Sequence, residues 1–280
     1  MAEKIDWHKI FAKIKSKVQR QVRRVRTTPK PSHTGHILGA GGDVIEEADI
    51  IAENVIIDTL KDFFESFTLI SEESGVKEYG KNPETCYVTV DPVDGSTNLS
   101  RGIPFYATSI AVSAKPTIDA VHSALVIDLH HATTYTAQRG RGAYRNGRKI
   151  TPSSLFSLEE AVIGFDINTL KIRELTSKLL PILQRSKHVR HLGANALELC
   201  YVADGTTDAF IDIRGKLRTT DTAAAQLILR EAGAQLTTPA GEPLKARLDP
   251  KEKVAFVASA NRKLHNAILK AMLTQKQELL

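Results

Sequence analysis

Residues 91–98 read DPVDGSTN, and two carboxylates, Asp91 and Asp94, stand in this stretch with two residues between them. The apolar run CYVTV leads into the stretch, and a glycine, Gly95, follows the second carboxylate. Such a run is typical of a buried strand, while Pro92 fixes φ and the glycine permits a sharp turn. We therefore expect a strand that carries both carboxylates to its carboxyl end. Oxygen ligands packed this tightly suit a hard cation such as Mg²⁺.

Two further segments carry acidic residues in similar settings. Residues 71–75 read SEESG and follow the apolar run FTLI, so a second strand-like segment also ends in an acidic pair and a glycine. This repetition favours a metal centre over two solvated turns. Residues 220–225 read TDTAAA, in which Asp221 precedes an alanine-rich helical pattern. The residues alone leave Asp221 open between a helix cap and a metal ligand, and both roles are compatible.

These three motifs, in this order, resemble the inositol monophosphatase superfamily, a group of Mg²⁺-dependent, lithium-sensitive sugar and inositol phosphatases. The resemblance covers nearly the whole chain. It implies an α/β (α+β) protein with a layered αβαβα fold and an active site between its two halves. The order of predicted elements agrees, because strands and helices alternate through the second half.

Carried onto this sequence, the resemblance implies that Glu72 and Asp91 bind a first metal ion together with the backbone carbonyl of Val93. It also implies that Asp91, Asp94 and Asp221 bind a second ion. Hydrolysis of a phosphate monoester needs negative charge to be offset and a water to be positioned and activated, which clustered Mg²⁺ ions can do. We expect two to three Mg²⁺ ions, with Mn²⁺ as a substitute.

The resemblance assigns the remaining catalytic roles as follows. Glu73 helps to hold a third, weaker metal ion or its water, and Asp43 in a glycine-rich loop is a second candidate for that ion. Asp49, on the second predicted helix, orients the nucleophilic water through a hydroxyl. That hydroxyl belongs to Ser96, where many relatives carry threonine.

The resemblance also implies that four residues bind the substrate. The backbone amides of Gly95 and Ser96 hold its phosphate at a helix start, where donors are unpaired. Asp94 also contacts the substrate, and Asn195 stands where a small residue is usual and can bond a sugar hydroxyl.

The substrate pocket departs from the typical inositol monophosphatase. Thr220 replaces a tryptophan, and Arg214 replaces a glutamate that contacts inositol. An arginine there suits a second anionic group, since its planar fork pairs with phosphate oxygens, and Arg190 is a further candidate. The pattern resembles the branch that hydrolyses both fructose 1,6-bisphosphate and inositol 1-phosphate. A surface arginine in a strand-to-helix turn is the alternative for Arg214.

The chain has 280 residues, of which 42% are hydrophobic and 25% charged, as is ordinary for a soluble globular protein. We predict two parts: an N-terminal α+β part, 1–150, with most metal ligands, and a C-terminal α/β part, 151–280, with Asp221 and the substrate pocket. No stretch approaches the ~20 apolar residues that span a bilayer, and no signal peptide is evident. Cys86 and Cys200 are expected to be free thiols in the cytoplasm.

The chain carries a net charge of +6, and much of its positive charge lies in residues 4–30, on a helical pattern that predicts a helix over 3–27. A basic nucleic-acid-binding protein with a relict site is therefore a remote alternative. Nearer alternatives are a plain inositol monophosphatase and a 3′-phosphoadenosine phosphate phosphatase. The preferred partner is a small phosphorylated sugar or inositol, with no membrane and no nucleic acid, and the family implies a homodimer.

The remaining pattern predicts the order of elements along the chain. A loop at 28–43 and a helix at 44–64 precede strands at 67–71 and 86–91. Apolar β-prone segments follow at 105–115, 119–128 and 131–137. The second half is expected to contain strands at 160–166, 187–191, 207–213 and 253–259 and helices at 169–184, 195–203, 221–232 and 262–276.

Overall fold

The computed structural model describes residues 5–27, 40 and 46–274. The helices in this part of the chain are α1 (Trp7–Thr27), α2 (Glu47–Lys61), α3 (Ser96–Arg101), α4 (Ile172–Arg185), α5 (Asn195–Ala203), α6 (Thr219–Ala232) and α7 (Arg262–Thr274). The strands are β1 (Phe67–Ser71), β2 (Gly75–Tyr79), β3 (Tyr87–Asp94), β4 (Ala107–Ser113), β5 (Val121–Asp128), β6 (Thr134–Gln138), β7 (Gly142–Arg145), β8 (Arg148–Lys149), β9 (Val162–Phe165), β10 (His188–Arg190), β11 (Ala209–Arg218), β12 (Gln235–Thr237) and β13 (Lys253–Ser259).

The strands form two sheets. The first has eight strands in the order β2-β1-β3-β4-β5-β6-β7-β8, and the second has five in the order β10-β9-β11-β13-β12. In the first sheet β1 and β3 are parallel neighbours, so their carboxyl ends meet at one edge. In the second sheet β9 runs parallel to β10 and β11. The first sheet ends at Lys149 and the second begins at Val162. The division into two domains at residue 150 stays a prediction.

Alternating apolar side chains bind the sheets and helices into layers. In β5, Val126 belongs to a buried cluster that includes α5 and α6, while its neighbour Leu125 belongs to one that includes α1 and α2. In β13, Phe256 packs into the α5–α6 cluster, whereas Val257 packs with residues of α4 and α7. Each sheet is therefore covered by helices on both faces, since neighbouring residues of a strand point to opposite sides. The predicted layered αβαβα fold is confirmed.

The predicted elements correspond to observed ones with shifted ends. The amphipathic helix predicted for 3–27 is described as α1, and Ile10, Ile14, Val18 and Val22 form its buried stripe. The loop predicted for 28–43, including Asp43, lies outside the described residues except for Ala40. Sequence patterns missed the short strands β2 and β12, whereas α3 begins at Ser96, where the resemblance implied a helix start. No helix within 5–27 and 46–274 combines the length and hydrophobicity that a membrane span needs.

A bulge lies inside the stretch that opens the sequence. Asp91 of β3 pairs with Ser109 of β4, and Asp94 pairs with Ala107, so the register shifts between the two carboxylates. Residues three apart in a regular strand project from opposite faces. An extra residue on one strand changes this alternation, and it bends the strand locally. The bulge therefore allows both carboxylates to reach the same cleft.

A glycine turns the chain from β3 into α3. Gly95 precedes the helix with φ of 90°, a conformation that side chains with a Cβ disfavour. A Cβ placed there would lie 3.1 Å from the carbonyl oxygens of both Gly193 and Phe105. The turn is thus packed against two other backbone segments, and Asn98 of the same motif reinforces it by donating to the carbonyls of Phe105 and Leu192.

Gly95→Ala should lower the free energy of unfolding more than Gly102→Ala, although both glycines have positive φ. A Cβ at Gly102 would meet no heavy atom within 4 Å. The free energy of unfolding of this control should therefore fall only by the cost of a left-handed backbone at a residue with a Cβ, about 1–2 kcal/mol. At Gly95 the added Cβ has the same conformational cost and also comes too close to two backbone oxygens. Urea unfolding followed by circular dichroism measures both, and equal losses would show that the packing around Gly95 adds nothing.

Candidate active site

A cleft of about 540 Å³ opens where β3 ends and is lined by residues from both sheets. Ten of the residues predicted for the site line it: Glu72, Glu73, Asp91, Val93, Asp94, Gly95, Ser96, Asn195, Arg214 and Asp221. A larger hollow, of about 840 Å³ beside α1, has Asp6 as its one acidic lining residue among those described. Because the predicted carboxylates line the smaller cleft, that cleft is the candidate active site.

Three carboxylates converge at the base of this cleft. Glu72, Asp91 and Asp221 each bring a carboxylate oxygen within 4.8 Å of the others. Glu72 follows β1 directly, and Asp91 stands on the parallel neighbour β3, where Ser71 pairs with Val90. Asp221 reaches the cluster from the first turn of α6. The predicted convergence of the acidic motifs is thus seen in the structure.

Burial and mutual repulsion disfavour negative charge in this cluster. Loss of solvent raises the pKa of Glu72 well above its usual range, and the charge of Asp221 adds to the effect. Burial likewise raises the pKa of Asp91, with Glu72 as the next contributor. Carboxylates in this position bind a cation favourably, because its charge relieves both costs.

Asp94 lies beside the cluster and is held by the start of α5. Its Oδ1 accepts a hydrogen bond from the amide of Asn195 at 3.0 Å, and its Oδ2 accepts one from Ala196 at 2.6 Å. Burial raises the pKa of Asp94 to about 7, with repulsion from Asp221 adding and the two amides opposing. The helix start therefore fixes this carboxylate in one orientation, which suits a ligand.

Asp49 and Asp221 are each held by a hydrogen bond from the start of their own helix. Each is the third residue of its helix and accepts a hydrogen bond from the backbone amide that precedes the helix, of Glu46 at 2.9 Å and of Arg218 at 3.0 Å. The capping role left open for Asp221 is met from the third position: α6 starts at Thr219, and the Asp221 side chain accepts from the Arg218 amide at the helix start. Bonding back to the helix start leaves the carboxylate rigid at the edge of the cleft.

Asp49 is connected to the cleft by a hydrogen bond with Ser96, which lines it. The Ser96 hydroxyl lies 3.1 Å from Oδ1 of Asp49 and 2.8 Å from the carbonyl oxygen of Val93. Burial raises the pKa of Asp49 to about 6, against the opposing hydrogen bonds from Glu46 and Ser96. This pair of a carboxylate and a hydroxyl is the one predicted to orient a water.

Sequence reasoning missed the role of Arg218. Its Nη2 lies 2.8 Å from Oε1 of Glu72, so a guanidinium sits among the predicted metal ligands. The sequence shows only a basic residue three positions before Asp221. Its partner stands in another part of the chain, and no local pattern reveals the pair.

Arg214 lines the cleft, as predicted, but its charge is already offset. Its guanidinium pairs with Asp166 at 2.5 Å and with Asp212 at 2.5 Å, and only 6% of its side chain is exposed. The alternative of a surface arginine is therefore wrong. Its predicted contact with a distal phosphate stays a prediction, which these two carboxylates weaken.

The other two residues predicted for the substrate pocket differ in position. Asn195 lines the cleft, and its side-chain Oδ1 is enclosed without a hydrogen-bond partner. Its predicted bond to a substrate hydroxyl stays a prediction, which the enclosure of this oxygen weakens. Arg190 is exposed on β10, its Nη1 bonds to the carbonyl of Val189, and it is not among the lining residues. The expectation that Arg190 belongs to the pocket is thus not met in this chain.

A second buried carboxylate, Glu198 of α5, was also missed. Its Oε1 accepts hydrogen bonds from the amides of Leu192 and Gly193, at 3.2 and 3.0 Å. These residues belong to the turn that packs against Gly95. Burial raises the pKa of Glu198 to about 8, and the two amides oppose the shift. Glu198 therefore supports the wall of the cleft without lining it.

The donor set fits a hard divalent cation. It consists of clustered carboxylate oxygens with a nearby backbone carbonyl, which is the chemistry that Mg²⁺, Mn²⁺ and Ca²⁺ prefer. No histidine or cysteine joins the cluster among the described residues, so soft-metal chemistry is not favoured. Both cysteines are free, with Cys200 buried and Cys86 partly so.

The fold and this site together define the class of protein. The chain belongs to the inositol monophosphatase family, whose model matches residues 4–277. The family predicted from the three motifs is thereby confirmed. Membership also confirms the predicted class of enzyme, the phosphoric monoester hydrolases.

Two relatives and one crystal structure are similar to this chain over most of its length. The fructose-1,6-bisphosphatase/inositol-1-monophosphatase of Methanothermobacter thermautotrophicus is 34% identical over 277 residues, which cover 95% of this chain and 96% of that protein. A protein of the same name from Thermococcus kodakarensis is 36% identical over 233 residues, covering 82% and 84%. The crystal structure of an inositol monophosphatase–fructose 1,6 bisphosphatase matches with a TM-score of 0.82 and 30% identity, covering 95% of this chain and 100% of that one.

In the Glu198→Gln variant the free energy of unfolding should fall less steeply as the pH rises. The folded state raises the pKa of this carboxyl from 4.5 to about 8, so between these values it binds a proton that the unfolded state has released. Stability therefore falls as pH rises through this window, by up to about 1.4 kcal/mol per pH unit for one proton. Gln keeps an acceptor for the two amides and removes the titration.

Urea unfolding at pH 5 to 9 in the presence of EDTA measures this slope. Glu231→Gln is the control, because Glu231 also accepts two backbone amides, from Gly140 and Gly142, on a more exposed hairpin. The control should keep the slope of the wild type. A slope that Glu198→Gln leaves unchanged would contradict the raised pKa.

Proposed function

We propose that this protein is a Mg²⁺-dependent phosphatase that hydrolyses phosphate monoesters of sugars and inositol, with fructose 1,6-bisphosphate and inositol 1-phosphate as substrates. The observation that carries the proposal is the cluster of Glu72, Asp91 and Asp221, within 4.8 Å of one another beside the Gly95 turn. The names of the relatives support the same two substrates. The fold alone would not select a substrate.

The carboxylates of the cleft would hold the metal ions. We assign Glu72, Asp91 and the Val93 carbonyl to one ion, and Asp91, Asp94 and Asp221 to another, with Glu73 near a third. When bound, Mg²⁺ or Mn²⁺ offsets the charge of the phosphoryl oxygens and makes a bound water more acidic. The chain itself contributes orientation, since helix starts fix Asp94 and Asp221.

The remaining groups would position the reactants. Ser96 donates its hydroxyl to Asp49 or to the Val93 carbonyl, so its oxygen can accept from a water in the cleft while Asp49 orients the hydroxyl. The amides of Gly95 and Ser96 lie at the start of α3, where backbone donors favour a phosphate. Asn195 lines the cleft and would contact a sugar hydroxyl. Phosphate and sugar would lie side by side in one cleft, since the Asn195 amide donates to Asp94, the neighbour of Gly95.

Location and assembly are part of the proposal. A cytoplasmic homodimer is expected from the free cysteines and from the family resemblance. Sedimentation equilibrium tests the dimer directly.

Phosphate release from a small panel tests the function. The panel comprises fructose 1,6-bisphosphate, inositol 1-phosphate and 3′-phosphoadenosine 5′-phosphate, each with Mg²⁺ and with EDTA. The proposal expects Mg²⁺-dependent release from the first two. Release from the nucleotide alone would transfer the assignment to the alternative phosphatase. No release from any of them would refute the proposal, and a salt-sensitive mobility shift with nucleic acid would then favour the relict-site alternative.

Ser96→Ala should lower kcat on inositol 1-phosphate by about 10² or more, since a positioned proton-transfer or orienting group contributes about 10²–10⁴. Ser96→Thr keeps the hydroxyl and should retain most activity. Ser100→Ala is the matched control on the same helix, because its exposed hydroxyl bonds only to the Thr97 carbonyl. Full activity of Ser96→Ala would remove this hydroxyl from the mechanism.

A further inference from the structure

A bulge in β11 carries basic residues into the cleft. Asp212 pairs with Phe256 of β13 and Leu217 pairs with Val254, so the register shifts between these two positions. The residues between them leave the regular ladder, as bulged residues do. Arg214 and Lys216 belong to this bulge and both line the cleft. The second sheet thus presents cations to a cleft whose base is acidic.

Arg214 has little capacity left for a further anion. Its Nε donates to Oδ1 of Asp212 at 3.0 Å, its Nη2 pairs with the other oxygen of Asp212, and its Nη1 pairs with Asp166. Nη1 also donates to the carbonyl of Asn168 at 3.3 Å. Two carboxylates therefore surround one guanidinium, and an approaching phosphate would meet their negative charge as well as the positive one.

Lys216 differs from both of its basic neighbours. Arg218 pairs with Glu72 at 2.8 Å, but no carboxylate lies within ion-pair distance of Lys216 Nζ in the described part of the chain. That nitrogen donates to the carbonyl of Asn168 at 3.1 Å, which uses one of the three donors of an ammonium group. Of the three β11 cations that line the cleft, Lys216 is the one with an uncompensated charge.

We propose that Lys216 binds the second anionic group of a bisphosphate substrate, and that Arg214 instead holds Asp166 and Asp212 in place. The assignment rests on the proposed phosphatase function and names the residue that distinguishes a bisphosphate from a monophosphate. Lys216 is exposed, and its long side chain lets the ammonium follow a phosphate bound in the cleft. The Asn168 carbonyl keeps it pointed there.

The test compares fructose 1,6-bisphosphate, which carries both phosphates, with fructose 1-phosphate, which keeps the reacting phosphate and lacks the second one. Lys216→Met removes the charge and keeps an apolar stem of similar length. It should raise the ratio of KM for the bisphosphate to KM for the monophosphate about tenfold, as expected for loss of a bond between two charged groups. Lys216→Arg should restore most of the wild-type ratio.

Lys115→Met is the matched control. Lys115 is an exposed lysine just beyond β4, at the end of the strand opposite to Ala107, which pairs with Asp94. The Lys115→Met variant should have the same two KM values as the wild type. If Lys216→Met changes both KM values equally, or neither, the assignment to Lys216 is wrong while the phosphatase function stands. If the wild type releases phosphate from no substrate, the proposed function fails and the assignment falls with it.

Discussion

The gathering of several buried carboxylates at the base of one cleft is the constraint on which the rest of this structure depends. Each carboxylate loses hydration and repels the others, which is why the pKa values of Glu72 and Asp91 rise well above their usual range. The fold opposes this cost with the positive ends of helices, since Asp94 accepts from the start of α5 and Asp221 from the start of α6. Arg218 adds a full positive charge beside Glu72.

The architecture follows from this constraint. Parallel pairing of β1 with β3 brings two acidic segments to one edge, and the bulge in β3 directs Asp91 and Asp94 to the same side. The packed turn at Gly95 then starts a helix at the point where a phosphate would bind. The second sheet closes the cleft from the other side and supplies its basic residues on the β11 bulge. One sheet thus carries most of the proposed chemistry, and the other carries the proposed selectivity.

The parts that sequence predicts and the parts that it misses differ in how far their interactions reach. The strand and turn of residues 91–98 follow from local chemistry, because an apolar run, a proline and a glycine act on neighbouring backbone. The amphipathic pattern of α1 is equally local, and Ile14 and Val18 are buried as predicted. The pairs Arg218–Glu72 and Arg214–Asp166 join residues that are distant in the sequence, so no spacing rule reveals them. Arg190 was assigned by resemblance, and in the structure it bonds the carbonyl of Val189 and does not line the cleft.

Calorimetric titration of the EDTA-treated protein with Mg²⁺ tests the central claim, that the carboxylate cluster is a divalent-cation site, without depending on any substrate. The wild type should bind Mg²⁺ saturably, and Asp221→Asn should bind it at least about tenfold more weakly, since a charged ligand is lost. Asparagine can still accept the amide hydrogen bond from Arg218, so circular dichroism should show an intact fold. Absence of saturable binding by the wild type, or equal affinity of the two proteins, would contradict the account.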